Sequence, residues 1–318
     1  MTLAADCTTT KTIQIPSFKT LDGAGHTITA TGKLYNFGLA VIEVNGTQGH
    51  IKNLTLDGSK LAMSKIDSED GVGYNNSSGT ITNSTIRGFS GAAVDVVGGG
   101  VDLTDTSLSS ADTGIVYWGK VASGTITGGT VSGQNFGISA VGAGLNVDNV
   151  TITNSKQGVT YESGAEGTVT NSHITPTRHG VVATDLLTGI GAYGNTIVGP
   201  GGYAGVTAGV LFAPGSFGEV DGNAISNFVD TSADDGCGIY VDANANVVTI
   251  DGHNTFPAPP NEHDICDHRV SAAARSGGHA GHGKGPLTMS EHAGHRSPEN
   301  RASRLAARGK QRGGKAKP

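Results

Sequence analysis

Bulky side chains and charge are both scarce in this chain. Of its 318 residues only 5% are aromatic and 15% charged, while glycine occurs 51 times. A core of large interdigitating side chains does not come from such a composition, which calls for something regular and tightly turned. Cysteine is nearly missing too: Cys7, Cys237 and Cys266 are too few for a disulfide-dense scaffold and lack the paired spacing of a zinc site. No apolar run is long enough to span a membrane. The opening MTLAADCTTT has no basic start followed by an apolar core, so it is not itself an export signal. A structural unit begins almost at once after Met1, as it would where a signal had been removed. Apolar residues do not recur at helical spacing, which leaves strands.

What is there is a repeat. GTITNSTI at 79 to 86 returns as VDLTDTSL at 101 to 108, GTITGGTV at 124 to 131, LNVDNVTI at 145 to 152 and GTVTNSHI at 167 to 174. The closing apolar residues, Ile86, Leu108, Val131, Ile152 and Ile174, are 22, 23, 21 and 22 apart. A second phrase, glycine followed by an apolar residue, interleaves with the first from Gly91, Gly114, Gly137, Gly158 and Gly180, and weaker copies reach Gly209 and Gly238. Within each unit apolar residues alternate over three to five positions, the period of a strand. Short strands broken by Gly, Asn and Ser every 22 residues or so predict a solenoid of about 10 coils, a right-handed parallel β-helix of three strands per turn. Asn53, Asn83, Asn149 and Asn171 fall three residues before the closing apolar residue, with Asp105 there once. These types tolerate left-handed turns, and stacked amides can bond along the axis.

In these phrases the chain resembles the superfamily of secreted right-handed β-helix proteins that includes pectate lyases, polygalacturonases, alginate epimerases and phage tailspikes. TLDGAGHTITA at 20 to 30 is similar to the first coil of actinobacterial β-helix repeat proteins, many without assigned activity. The resemblance covers roughly residues 7 to 267. It implies a fold and an extracellular or cell-surface setting, not a reaction, because one fold hosts many chemistries. Of the polygalacturonase motifs only Asp234-Asp235 and the RHG of 178 to 180 are echoed, so that activity is not carried over.

With glycine at the start of each strand, Ile115, Tyr117, Ile138, Val159, Tyr161, Val181, Ile239 and Val241 are expected to point inward. The opposite row, Asn75, Asp95, Trp118, Val141, Glu162, Thr184, Ala213 and Asp242, should point out. Trp118 is the only tryptophan and a candidate platform for a sugar ring, with Glu162 and Asp242 beside it; a shielded surface aromatic is the plainer alternative. Asp95 and Glu162 are three coils apart, about 14 Å, too far for the roughly 9.5 Å limit of a glycosidase pair. The edge before the strand brings Lys156, Arg178 and His179 into adjacent coils. Two later coils grow to 29 residues there, adding Tyr203, Asp230, Asp234 and Asp235, and such added loops are where solenoids build sites. Lys156, Arg178 and His179 would move protons or hold a carboxylate, with acids from Asp234 and Asp235; the alternative is a solvated turn. His173 stands where sister coils have threonine and reads as an exposed repeat position.

The formal charge of −6 hides a split. Residues 1 to 267 carry 10 Lys and Arg against 25 Asp and Glu, and residues 268 to 318 carry 11 against 2. Past Cys266 the repeat gives way to a His-, Gly- and Arg-rich segment expected to be disordered and able to meet an anionic polymer. Two function classes follow: a β-helix that binds carbohydrate or scaffolds a surface assembly, as monomer or oligomer, and a polysaccharide lyase or glycoside hydrolase. The acidic body disfavours a polyuronate unless Ca²⁺ at Asp234 and Asp235 bridges like charges. Cys237 and Cys266 are 29 residues apart, one enlarged coil, which brings their Cα atoms about 5 to 6 Å apart. In an exported protein they should bridge, leaving Cys7 free.

Overall fold

A unit of 22 residues cannot close a core alone; stacking on like units both covers its apolar side and pairs its backbone. In the computed structural model, which describes residues 1–33, 37–62, 69–231 and 236–269, the units stack in this way. Each described strand pairs in parallel with its counterpart one coil away, and there is no helix among the described residues. Three sheets result. Sheet A includes Phe136–Val141, Gln157–Glu162, His179–Ala183, Thr207–Phe212 and Gly236–Val241. Sheet B follows it in each coil and includes Gly144–Asp148, Glu166–Thr170, Gly189–Tyr193 and Phe217–Asp221. Sheet C holds ten strands, Cys7–Thr9 to Ala224–Ser226, in line with the coil number expected. Strands Ala92–Thr104 and Thr113–Thr127 run from A into B unbroken. The basic segment 270–318 lies outside the described residues.

The corner from B to C is made by the asparagine column. Asn53, Asn83, Asp105, Asn149 and Asn171 have φ of 51, 45, 48, 54 and 50°, the left-handed region that Asn and Asp enter at least cost. Asn83 Nδ2 donates to Asn53 Oδ1 at 2.8 Å, the expected bond along the axis. One residue further on, a buried amide ladder runs inside the corner: Asn195 Nδ2 donates to Asn223 Oδ1 at 2.9 Å, and Asn223 Nδ2 to Asn254 Oδ1 at 3.0 Å.

The inward residues named from the glycine phase are all buried in one continuous core. Their packing repeats every two coils. Down sheet A one inward position runs Val44, Tyr74, Val96, Tyr117, Ala140, Tyr161, Ala183, Phe212, Val241. Large alternates with small. Each ring faces a glycine of sheet B in its own coil, Gly79, Gly124, Gly167 or Gly218, where an added Cβ would sit 2.8 to 3.0 Å from the ring. The small residues Val96, Ala140 and Ala183 are matched instead by Val101, Leu145 and Ile190 in that place. Volume per pair of coils is thereby held level, as close packing requires.

The outward row departs from expectation twice. First, Asp95 pairs with Val116, and Val97 pairs with Trp118, so Asp95 is two residues out of the Trp118 column. Gly88, at φ 77°, is an extra residue between paired Arg87 and Phe89 and accounts for one of the two; the other lies in the phrase itself, since Gly91 follows Ile86 by five residues where Gly114 follows Leu108 by six. Second, the row is buried, with Trp118 only 8% exposed, Glu162 4% and Asp242 5%. Trp118 packs with Ala92 and Val116, and Val182, Leu211, Ala213 and Tyr240 form a second outer cluster. Sheet A is buried on both faces, as parallel strands often are, its outer face mixing apolar residues with Asp95, Ser139, Thr160, Glu162 and Asp242.

Candidate functional site

At the edge between sheets C and A the structure brings together part of the expected set. The Arg178 guanidinium lies over the Tyr203 ring, 5.7 Å from its centroid, and Arg178 Nε donates to the Val206 carbonyl at 3.3 Å. Tyr203 forms an isolated parallel bridge with Asp230, whose Oδ1 accepts from the Gly205 N–H at 3.1 Å. Arg178, Tyr203 and Asp230 thus meet where the two enlarged coils stack. Lys156 is exposed one coil below Arg178. Asp234 and Asp235, and with them the Ca²⁺ bridge expected there, lie outside the described residues. Among the described residues no three His, Cys, Asp or Glu side chains converge as a metal site.

His179 does not belong to this surface. It is 1% exposed, and its Nδ1 accepts from the Ala208 N–H at 3.1 Å. Burial first, and the Arg178 charge second, push its pKa down to about 3. A buried imidazole whose Nδ1 is already used as an acceptor is not presented to a substrate, so the proton-transfer role expected of His179 is withdrawn. Trp118, Glu162 and Asp242, buried on the outer face of sheet A, offer no open platform for a sugar either. His173 is exposed, as expected, between Thr151 and Thr196.

An open groove among the described residues lies on the outer face of sheet B, at positions the sequence had not singled out. It has a volume of about 890 Å³. One outward column crossing it runs Asp102, Thr125, Asn146, Thr168, Gly191, Glu219, Thr249, and a second runs Ser123, Gly144, Glu166, Gly189, Phe217. On strand Gly189–Tyr193 both columns are glycine, and two aromatic rings use the space. A Cβ on Gly189 would sit 2.5 Å from the Phe217 ring, and one on Gly191 would sit 2.4 Å from the Tyr193 ring. Both rings therefore rest directly on bare backbone, and both are half-buried. The Tyr193 hydroxyl donates to Glu219 Oε2 at 3.1 Å, and burial, with the Glu219 charge, raises its pKa. Asp102 Oδ1 accepts from the Thr125 N–H at 2.9 Å, and Asn146 Oδ1 accepts from Thr168 N and Oγ1 at 3.2 and 2.9 Å. The arrangement offers apolar ring faces, hydroxyls, an amide and carboxylates along a shallow trough. The signal was in the sequence: where coils from 79 to 170 place Thr, Asp or Asn at these two positions, the next coil places Gly191 and Tyr193.

A family model described as right handed beta helix region matches residues 40–256. Among solved structures the chain is similar to the Dettilon tailspike protein, at 12% identity and TM-score 0.55, covering 81% of this chain and 60% of that one. It is also similar to DFA-IIIase from Arthrobacter chlorophenolicus A6, solved without its lid, at 11% identity and TM-score 0.50, covering 83% and 86%. At these identities the likeness is one of fold, and the chain spans three fifths of the tailspike's length. No curated protein is significantly similar to it in sequence.

Proposed function

Since the chain belongs to the right-handed β-helix family, whose stacked sheets offer long flat outer faces, we propose that it is an extracellular or surface protein that holds a carbohydrate polymer in the groove of sheet B. One observation carries the reading: Phe217 and Tyr193 lie on a glycine floor with ring area still open to solvent. The C–H faces of a sugar ring are apolar and slightly positive and pair with the negative face of an aromatic ring, while the flanking hydroxyls and Asn146 supply neutral hydrogen-bond partners. The groove crosses seven coils, Asp102 to Thr249, which suits an extended polymer. The Cys237–Cys266 bond supports an oxidising compartment. The edge at Arg178, Tyr203 and Asp230 is the weaker candidate, because the imidazole expected to do its chemistry is sealed beneath it.

A hydrolytic reading of the same groove rests on Glu166 and Glu219, which stand two strands apart with the glycine strand between them. That is about 9.6 Å across the strands, at the upper limit for an inverting pair of carboxyls, and the two-residue offset along the strand makes it longer. Binding is therefore the preferred function. The test is affinity electrophoresis against plant, algal and bacterial polysaccharides, with reducing ends read in the same samples. Retardation by at least one polysaccharide is expected, with Phe217→Ala and Tyr193→Ala each weakening it about tenfold (~1.4 kcal/mol) and leaving thermal unfolding unchanged. Equal retardation of both variants would remove the groove from consideration, and reducing ends lost in Glu166→Gln would promote the hydrolytic reading.

A further inference from the structure

The chemistry of the groove also limits which polymer it can hold. Three carboxylates line it, Asp102, Glu166 and Glu219, and no Lys, Arg or His stands among the described lining residues. A further acid column, Asp148 and Asp221, runs along its margin through Tyr193. These acids are held in place by neighbours. Asp148 accepts from Thr170 Oγ1 at 2.7 Å and Asn171 Nδ2 at 2.9 Å, bonds that hold its pKa below the usual carboxylate value. Asp221 contacts His253 Nδ1 at 2.9 Å on the side away from Tyr193's strand. Glu219 is tied to the Tyr193 hydroxyl, so the ring offered to a sugar and a negative charge are parts of one unit.

We propose that the sheet B groove selects an uncharged glycan and rejects polyuronates and sulfated polysaccharides. The inference rests on the reading of the groove as a carbohydrate site and adds the substrate class. A sugar stacked on Phe217 or Tyr193 sits within reach of Glu166 and Glu219, and a carboxylate carried on each such sugar would meet at least one of them. Like charges at these separations repel appreciably even near a water-exposed surface. Specificity then follows from repulsion of the wrong ligand as much as from attraction of the right one. Neutral hydroxyls, by contrast, find the carboxylates to be strong hydrogen-bond acceptors, alongside Thr125, Thr168, Thr249 and the Asn146 amide. The polymer expected is a hexose or pentose chain without acid groups.

The experiment compares a neutral polysaccharide that the protein retards with polygalacturonate and alginate of similar length, in EDTA and at low ionic strength, for the full chain and two variants. Glu166→Gln with Glu219→Gln keeps shape and hydrogen bonding while removing two charges. Wild type should bind the neutral polymer at least tenfold more tightly than either polyuronate. The double variant should narrow that gap about tenfold by tightening the polyuronates, and raised salt should narrow it for wild type as well. Phe217→Ala should lose the neutral polymer. If polyuronates bind wild type as tightly as the neutral chain, and Phe217→Ala loses both, the groove stands and the charge selection is overturned. If the double variant leaves the gap unchanged, the selection does not come from these carboxylates and the proposal fails. If Phe217→Ala leaves neutral binding intact, the groove reading itself falls and takes the inference with it.

Discussion

His179 illustrates how a single residue changes meaning between sequence and structure. An unfolded histidine titrates near 6.5, and the buried one near 3; the unfolded chain therefore takes up a proton that the folded chain refuses. Its contribution to stability is complete above pH 6.5 and is lost as pH falls from there toward 3. Between pH 7 and 5 the loss from this group alone is about 2 kcal/mol, in a window where the carboxylates, with unfolded values near 4, contribute little. Urea midpoints measured across that window should fall for wild type and stay level for His179→Asn, whose amide oxygen can still accept from Ala208. A wild-type midpoint that does not move from pH 7 to 5 would mean that the imidazole is reached by water. Glycine is the other residue whose role is decided by neighbours. At Gly158 an added Cβ would lie 2.6 Å from the Gly180 carbonyl and 2.5 Å from Ile174 Cγ2, a demand of the core, whereas at Gly189 the three nearest atoms belong to the Phe217 ring on the outside.

Among the elements, the sheets differ in what their two faces do. Sheet A reads as runs of apolar residues, GVVA and GVLFA, and is buried on both sides; strands of sheets B and C such as Gly144–Asp148 and Thr151–Thr153 alternate and are wetted on one. The two-coil alternation of Tyr74, Tyr117, Tyr161 and Phe212 with small residues sets how the coils stack. Each tyrosine also satisfies a carbonyl across the core, Tyr117 donating to Val101 O at 2.7 Å and Tyr161 to Leu145 O at 2.8 Å. Tyr161→Phe should cost about 1 kcal/mol, the value of one such bond. Tyr161→Ala should cost about 3 to 5 kcal/mol, since it opens a cavity over Gly167 that neither Ala140 nor Ala183 can fill. Chemical denaturation of the two variants checks the ratio; a small loss for alanine would show that the coils slide together to fill the gap.

For the whole molecule the vulnerable places are the ends, where a solenoid has a neighbour on one side only. The bond between Cys237 and Cys266, with Cα atoms 6.0 Å apart, ties the last strand, His263–Asp267, to Gly236–Val241. The bond is diagonal: Cys266 pairs with Tyr240 and Cys237 with His263. Closing a loop of 29 residues stabilises by about 2 to 4 kcal/mol. Cys237→Ser with Cys266→Ser should lower stability by that amount, with hydrogen exchange quickening first in Gly236–Val241 and last in Phe136–Val141. Alkylation of the native oxidised protein should mark one thiol, the exposed Cys7; three marked thiols would exclude the bond in solution.

The sequence by itself determined the coil. A period of 22 residues, alternation within it and Asn, Asp or Gly three residues before each closing apolar residue are local facts, and local sterics turn them into strands, left-handed corners and a stack; the pairing of Cys237 with Cys266 was expected from the 29-residue spacing of an enlarged coil, although the last strand pairs three residues out of that register. Only the tertiary structure decided which faces are open. Asp95 left the Trp118 column because the extra residue Gly88 and a glycine phrase that begins one residue early at Gly91 together shifted the register by two, and Trp118 and His179 proved buried because exposure depends on what lies one coil away and across the edge, which no single phrase records. The groove was missed for the same reason. Gly189, Gly191, Tyr193, Phe217 and Glu219 come from two successive coils, and they become a floor, two platforms and a charge once strands 4.8 Å or so apart set them side by side.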